Sequence, residues 1–158
     1  MGNAVSARAT RLRKAITVNA PVDEIYRFWH GLTNLPRFMR HVESVVEIGA
    51  GRSHWIAESV DDHTIEWDAV VTDDRPNAVI AWRSVEGSEI ANEGVVRFTA
   101  APAGRGTEVF VDLSYDVPGG TIGARAAKLL GDDPARQVSE DLRAFKQVIE
   151  TGEVLVSD

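Results

Sequence analysis

Between residues 42 and 117 the chain offers six strand-like runs and nothing else, at roughly 42–49, 52–60, 63–73, 77–85, 92–101 and 106–117. The joints are short and turn-like: Gly49-Ala50-Gly51, Asp61-Asp62, Asp74-Arg75-Pro76-Asn77, Glu86-Gly87-Ser88 and Ala103-Gly104-Arg105. Joints this short leave room only for antiparallel neighbours. Alternation then assigns the faces. Ile65, Trp67, Ala69 and Val71 point one way, and Glu66, Asp68 and Thr72 the other. Ser53, Trp55 and Ala57 align, as do Ile80, Trp82 and Ser84, leaving Ala81 and Arg83 outside. Val96, Phe98 and Ala100 form a further set, and Thr107, Val109, Val111, Leu113 and Tyr115 oppose Glu108, Asp112 and Asp116. The sheet has one apolar face and one charged face.

That apolar face needs a cover, and little is available. A strand at about 11–19 leads into a helix opened by Pro21, with Asp23 and Glu24 at its positive end and Ile25, Phe28, Trp29 and Leu32 at helical spacing, to a stop at Gly31. Thr33 or Asn34 can cap a second short helix that turns Leu35, Phe38 and Met39 inward. Pro118-Gly119-Gly120 ends the last strand, and a helical region runs on to about Gly152, interrupted near Gly131-Asp132-Asp133-Pro134. Its second part carries the one long stripe, Val138, Leu142, Phe145 and Ile149, opposite Arg136, Glu140, Arg143 and Lys146. A helix about 10 Å across cannot blanket six or seven strands spaced about 4.8 Å apart. Either the sheet curls around the helix or its face stays wet, and a curled sheet gripping one helix leaves a pocket between them. The chain divides into a flexible N-terminus (1–10), a single domain (11–153) and a tail (154–158).

This order resembles the START-like (SRPBCC, Bet v 1-like) superfamily, and more closely its bacterial polyketide cyclase/dehydrase-type subgroup. The segments that carry the resemblance are "APVDEIYRFW" (Ala20 to Trp29), "NLPRFMRHVESV" (Asn34 to Val45), "EWDAVVTDDRPNAVIAWRS" (Glu66 to Ser84), "NEGVVRF" (Asn92 to Phe98) and "DLRAFKQVIETGE" (Asp141 to Glu153). The resemblance implies an α+β helix-grip fold: a seven-stranded curved antiparallel sheet wrapped around a long, kinked C-terminal helix, with two short helices between strands 1 and 2. It also implies hydrophobic-ligand binding, lipid transfer, hormone binding, cyclisation or a structural role as the range of activities, in a bacterial protein; the lack of cysteine is compatible with a cytoplasmic setting.

The residues narrow this range. Tryptophans at 29, 55, 67 and 82 are the clearest signal, three of them on one sheet face. They form either a packed core or the wall of a cavity of several hundred Å³, because large rigid aromatics hold space open and offer apolar and N–H contacts. Small neighbours, Ala57, Ala69, Ser84 and Ala100, with Ala126 and Ala127 on the helix, favour space. The expected ligand-binding set is Trp55, Trp67, Trp82, Ser84 and Phe98, together with Val111, Leu113, Tyr115, Phe38 and Ala126. Ser53, Ser84, Thr107 and Tyr115 would orient the ligand, and Gly119, Gly120, Gly123 and Gly131 would let the 118–132 segment move as a lid. No catalytic residue is assigned. For the alternative, an aromatase/cyclase acting on a polyketide-like substrate, the candidates are Tyr115 and, if strand 77–85 is bulged, Arg83. A lone phenol near pKa 10 is a poor base at neutral pH.

Other chemistries find no support. His30, His41, His54 and His63 lack ligand spacing, so no metal and no cofactor is expected. Gly49-Ala50-Gly51 lies between strands and is no dinucleotide loop, and the acidic pairs Asp61-Asp62 and Asp73-Asp74 read as solvated turns. There is no cysteine, hence no disulfide or thiolate site, and a net charge of −7 disfavours nucleic acid. The longest apolar run, Ala78 to Trp82, cannot span a membrane, and the first 14 residues lack a signal-peptide core. Met1-Gly2 with Ser6 fits a myristoylation pattern too short to weigh against a frayed N-terminus. The expected partner is a small hydrophobic ligand, with no nucleic acid and no stable membrane insertion. A homodimer through an edge strand or the helices, and a non-catalytic interaction module with a filled core, stay open as alternatives.

Overall fold

The computed structural model describes residues 10–39, 41–58, 64–88, 90–116 and 134–152. The chain runs β1 (Thr10–Val18), α1 (Val22–His30), a 3-10 helix (Leu32–Arg37), β2 (Val42–Gly49), β3 (Arg52–Glu58), β4 (Thr64–Arg75), β5 (Val79–Ser84), β6 (Ala91–Ala100), β7 (Thr107–Asp116) and α2 (Pro134–Thr151). All seven strands join one antiparallel sheet in the order β1-β7-β6-β5-β4-β3-β2. β2 to β7 form a meander, and β1 returns to the far edge beside β7. With α2 on the apolar face, this is the helix-grip α+β fold. The expected kink of the C-terminal helix, its first part, the glycines of the lid, Ala126, His63 and Asp61-Asp62 lie outside the described residues.

α1 starts after Pro21, whose extended ψ of 149° sets the chain direction, and ends at Gly31, whose N–H donates to Arg27 O. It buries Ile25, Tyr26 and Trp29. The second helix is of the tighter 3-10 kind. Pro36 inside it cannot supply an α-helical N–H, and Asn34 Nδ2 caps the end of α1 at Phe28 O (3.1 Å) instead of opening the new helix. Leu35 and Phe38 are buried as expected. α2 buries Val138, Leu142, Phe145 and Val148. Its last turns are fastened to the end of β1 by Lys146 Nζ donating to Thr17 O (2.6 Å) and by the Asn19 N–H donating to Glu150 Oε2 (2.7 Å). The Asn19 N–H and the ion pair with Lys146 (2.9 Å) hold the Glu150 carboxyl below the usual carboxylate range.

Two local features of the sheet place α1 and Trp82. β4 carries a bulge between Val71 and Asp73, so the acidic pair lies within the strand rather than in a turn, and Asp74 comes opposite Ile80. There Asp74 accepts from Tyr26 Oη and contacts His30 Nε2 at 2.9 Å, tying α1 to the sheet. Burial of the phenol and its bond to Asp74 push Tyr26 up to about 12. The bulge therefore falls in β4, and β5 keeps its register: Arg83 pairs with Val70 and Glu93 and stays exposed, away from the interior. The second feature is Gly94, directly opposite Trp82; a Cβ there would sit 2.5 Å from Trp82 Cζ2 and 2.8 Å from Leu113 Cδ2. Only glycine lets the indole lie across β6.

Candidate functional site

The inner face is built around a stack of indoles. Trp55 and Trp67 are direct cross-strand partners with ring centroids 5.7 Å apart and planes 17° from parallel. Trp82 extends the stack, 6.5 Å from Trp55 at 16°. Across from it, Trp29, Phe38 and Phe145 pack edge-on or tilted at 5.2–5.4 Å, with Phe28 joining at 5.6 Å from Phe145. Between the two groups a cavity of about 100 Å³ remains, bounded by the three sheet tryptophans, Val111, Leu113 and Tyr115 on β7, Phe38 after the 3-10 helix, and Val138, Asp141 and Leu142 on α2. Packed core and cavity are both present. Most of the concave side is filled by interlocking rings, and the residual space is far below several hundred Å³.

Of the expected ligand-binding set, Trp55, Trp67, Trp82, Val111, Leu113, Tyr115 and Phe38 meet at this cavity. Ser84 and Phe98 do not. Ser84 is fully buried, but its Oγ accepts the Asn92 N–H (3.0 Å) and closes the end of the β5–β6 pair. Phe98 lies farther along β6, edge-on to Tyr26 at 6.0 Å, outside the cavity wall. Ser53 and Thr107 are likewise occupied: Ser53 Oγ accepts Trp55 Nε1 (2.8 Å), and Thr107 Oγ1 donates to Ala20 O (2.8 Å). Ala100 is exposed.

Several residues outside the expected set also border the cavity, among them Ile90 and the polar His41, Asn92, Glu93, Ser114 and Asp141. Their signals were present: Asn92 has the inward parity of Gly94, Val96 and Phe98, and Asp141 falls inside the apolar stripe of α2, three residues after Val138 and four before Phe145. Asp141 is 6% exposed, and its Oδ1 accepts from Gln137 Nε2 (2.9 Å). Its Oδ2 stands 4.0 Å from His41 Nδ1, too far for a hydrogen bond. Desolvation therefore goes unopposed and pushes the imidazole down to about 4, so His41 is neutral at pH 7. The other described histidine of the sheet region behaves in the opposite way. His54, on the outer face, has Nδ1 2.6 Å from Asp68 and Nε2 2.8 Å from Glu66, so both nitrogens donate and its pKa rises. Among the described residues no three metal-ligating side chains converge, and no helix is long and apolar enough to cross a membrane.

Comparison with known proteins agrees with this geometry. The family described as "Polyketide cyclase / dehydrase and lipid transport" matches residues 18–143. An uncharacterized 17.2 kDa protein of Streptomyces lincolnensis is 30% identical over 141 residues, 89% of this chain and 90% of that one. Among solved structures, DR_A0006 of Deinococcus radiodurans is 36% identical with a TM-score of 0.74, over 91% of this chain and 99% of that chain. The di-domain ARO/CYC StfQ of the steffimycin biosynthetic pathway shares the fold at 16% identity and a TM-score of 0.67, over 91% of this chain and 51% of that protein. The residues that frame the indole-walled cavity fall within the matched span, and the chain belongs to the polyketide cyclase / dehydrase and lipid transport family.

Proposed function

We propose that the protein holds a small hydrophobic or amphipathic molecule in the cavity between the sheet and α2. The observation that carries this reading is the cavity itself, walled by Trp55, Trp67 and Trp82 on one side and Val138 and Leu142 on the other. Burying ligand carbon there is worth about 25 cal/mol per Å². Its room is of the order of the roughly 150 Å³ apolar cavity that takes up benzene, so the guest is one ring or the end of a chain. Tryptophan emission, titrated with ring compounds and with alcohols of graded chain length, tests this. Shift or quenching by single rings and short chains is expected; no response to any of them rejects it.

A second reading, acid–base chemistry of the aromatase/cyclase kind, is favoured by one further observation. Tyr115 does not face the cavity alone: a neutral imidazole, His41, borders the same space. With its pKa near 4 the imidazole is a weak base whose conjugate acid returns the proton readily, so on this reading it moves one proton from a substrate carbon to a substrate oxygen while the phenol donates a hydrogen bond. On this reading His41→Gln and Tyr115→Phe each abolish turnover of a polyketide-like substrate while leaving its affinity within about threefold.

A further inference from the structure

Gly94 lies inside β6, in unbroken register with β5 on one side and β7 on the other. Nothing in the backbone asks for glycine there. The described glycines with positive φ are Gly51, Gly87, Gly104, Gly106 and Gly152, and Gly94 is not one of them. Glycine inside a strand weakens it, and where neither a turn nor a bulge calls for it the remaining reason is the close approach of a neighbour. Its cross-strand neighbours are Trp82 and Leu113. A Cβ at 94 would stand 2.5 Å from Trp82 Cζ2, 2.9 Å from Trp82 Cε2 and 2.8 Å from Leu113 Cδ2. The benzo edge of the indole therefore rests on the β6 backbone. Trp82 and Leu113 both border the cavity, whereas Gly94 lies beneath them and does not.

We infer that Gly94 is the positioning residue that sets the size of guest the cavity accepts: it keeps Trp82 down on the sheet and so keeps the space above it open. The inference rests on the binding reading above and adds to it the residue that fixes the limit. For an indole displaced by a side chain at 94 the open direction is away from the sheet, because β6 lies beneath it, Trp55 is stacked 6.5 Å to one side and Leu113 meets it over Gly94. That direction leads into a cavity of about 100 Å³. Interiors packed this closely do not absorb an added methyl without moving something, and a ring moved into so small a space takes the room of the guest. Gly94 touches no guest itself and acts through Trp82 and Leu113.

The test is benzene binding, followed through the methyl resonances of Val111 and Leu142 on the cavity wall, in full-length wild type, Gly94→Ala, Trp82→Leu and the double variant. Trp82→Leu removes Cζ2 and Cε2, the two indole atoms that a Cβ at 94 would meet. Gly94→Ala is expected to weaken benzene binding by about tenfold or more, the scale on which a single carbon decides fit in an apolar pocket. In the Trp82→Leu background the same substitution is expected to change affinity by less than about threefold, a rescue that a general weakening of β6 does not produce. Benzene binding by Gly94→Ala within about threefold of wild type overturns the inference and leaves the binding reading standing. A loss of equal size in both backgrounds also overturns it, since the glycine then acts by a route other than Trp82. Should Gly94→Ala fail to fold, the double variant decides: folding and binding benzene as Trp82→Leu does supports the inference, and failing in either overturns it. Failure of wild type to bind benzene up to its solubility rejects the binding reading itself.

Discussion

The two faces of the same strands solve the problem of polar groups in opposite ways. Outside, charges find partners in water's reach: Arg11 meets Asp112 at 3.0 Å, Arg52 meets Asp68 at 3.7 Å, and His54 sits between Asp68 and Glu66. The bond from Arg11 also holds the Asp112 carboxyl below its ordinary range. Inside, one residue along, polar atoms are few and buried: Ser53, Ser84 and Thr107 bond within the protein, and Trp67 Nε1 and Asn92 Nδ2 have no hydrogen-bond partner among the described residues. The two histidines condense the contrast, His54 raised by its carboxylates and His41 lowered by burial. The sheet thus stands toward water with its charges paired on one side and toward α2 with its side chains buried on the other.

The largest effect belongs to the filled part of the inner face. Phe145 is fully buried, packs on Trp29, Phe38 and Phe28, and does not border the cavity. Phe145→Ala should cost about 3–5 kcal/mol in urea denaturation. A loss under about 1 kcal/mol would mean that the rings there are loosely arranged and that the division between filled core and cavity is wrong.

Next comes the inner histidine. Its folded pKa lies near 4, below the ordinary 6.5, so the unfolded chain binds the extra proton in between. Stability conferred by keeping His41 neutral is whole above about pH 6.5 and falls as pH drops toward 4, at up to roughly 1.4 kcal/mol per pH unit. The difference between wild type and His41→Gln should shrink over that window. A difference that is flat with pH would place the imidazole in water.

The outer histidine should show the smallest effect, with the reverse sign. His54 has a raised folded pKa, so its contribution is full below about pH 6.5 and disappears as pH rises through the folded value. With a third of the side chain exposed, His54→Gln should cost under about 1 kcal/mol at pH 5.5 and nothing at pH 9. A cost that grows with pH would break the comparison.

Much of the fold could be read from the sequence because alternation is a local signal. Val96, Trp82 and Val109 announce their face by parity alone, and the stripe of α2 by its spacing. The cavity was less legible. Asn92 had the right parity and Asp141 the right helical phase, but neither looks like a ligand contact until the partner elements are known. Ser53, Ser84 and Thr107 looked available and are each bonded within the protein. The bulge in β4 was invisible, because one extra residue changes register without changing composition, and it moved Asp74 from an expected turn to a tie with Tyr26 and His30.

By itself the sequence determined the strand count, the two-faced sheet and the single covering helix, since each follows from periodicity over a few residues. Only the tertiary structure decided how much room the indoles leave and which polar atoms go without partners. Volume and hydrogen-bond completion depend on distances between elements far apart in the chain, and a one-dimensional pattern carries no such distances.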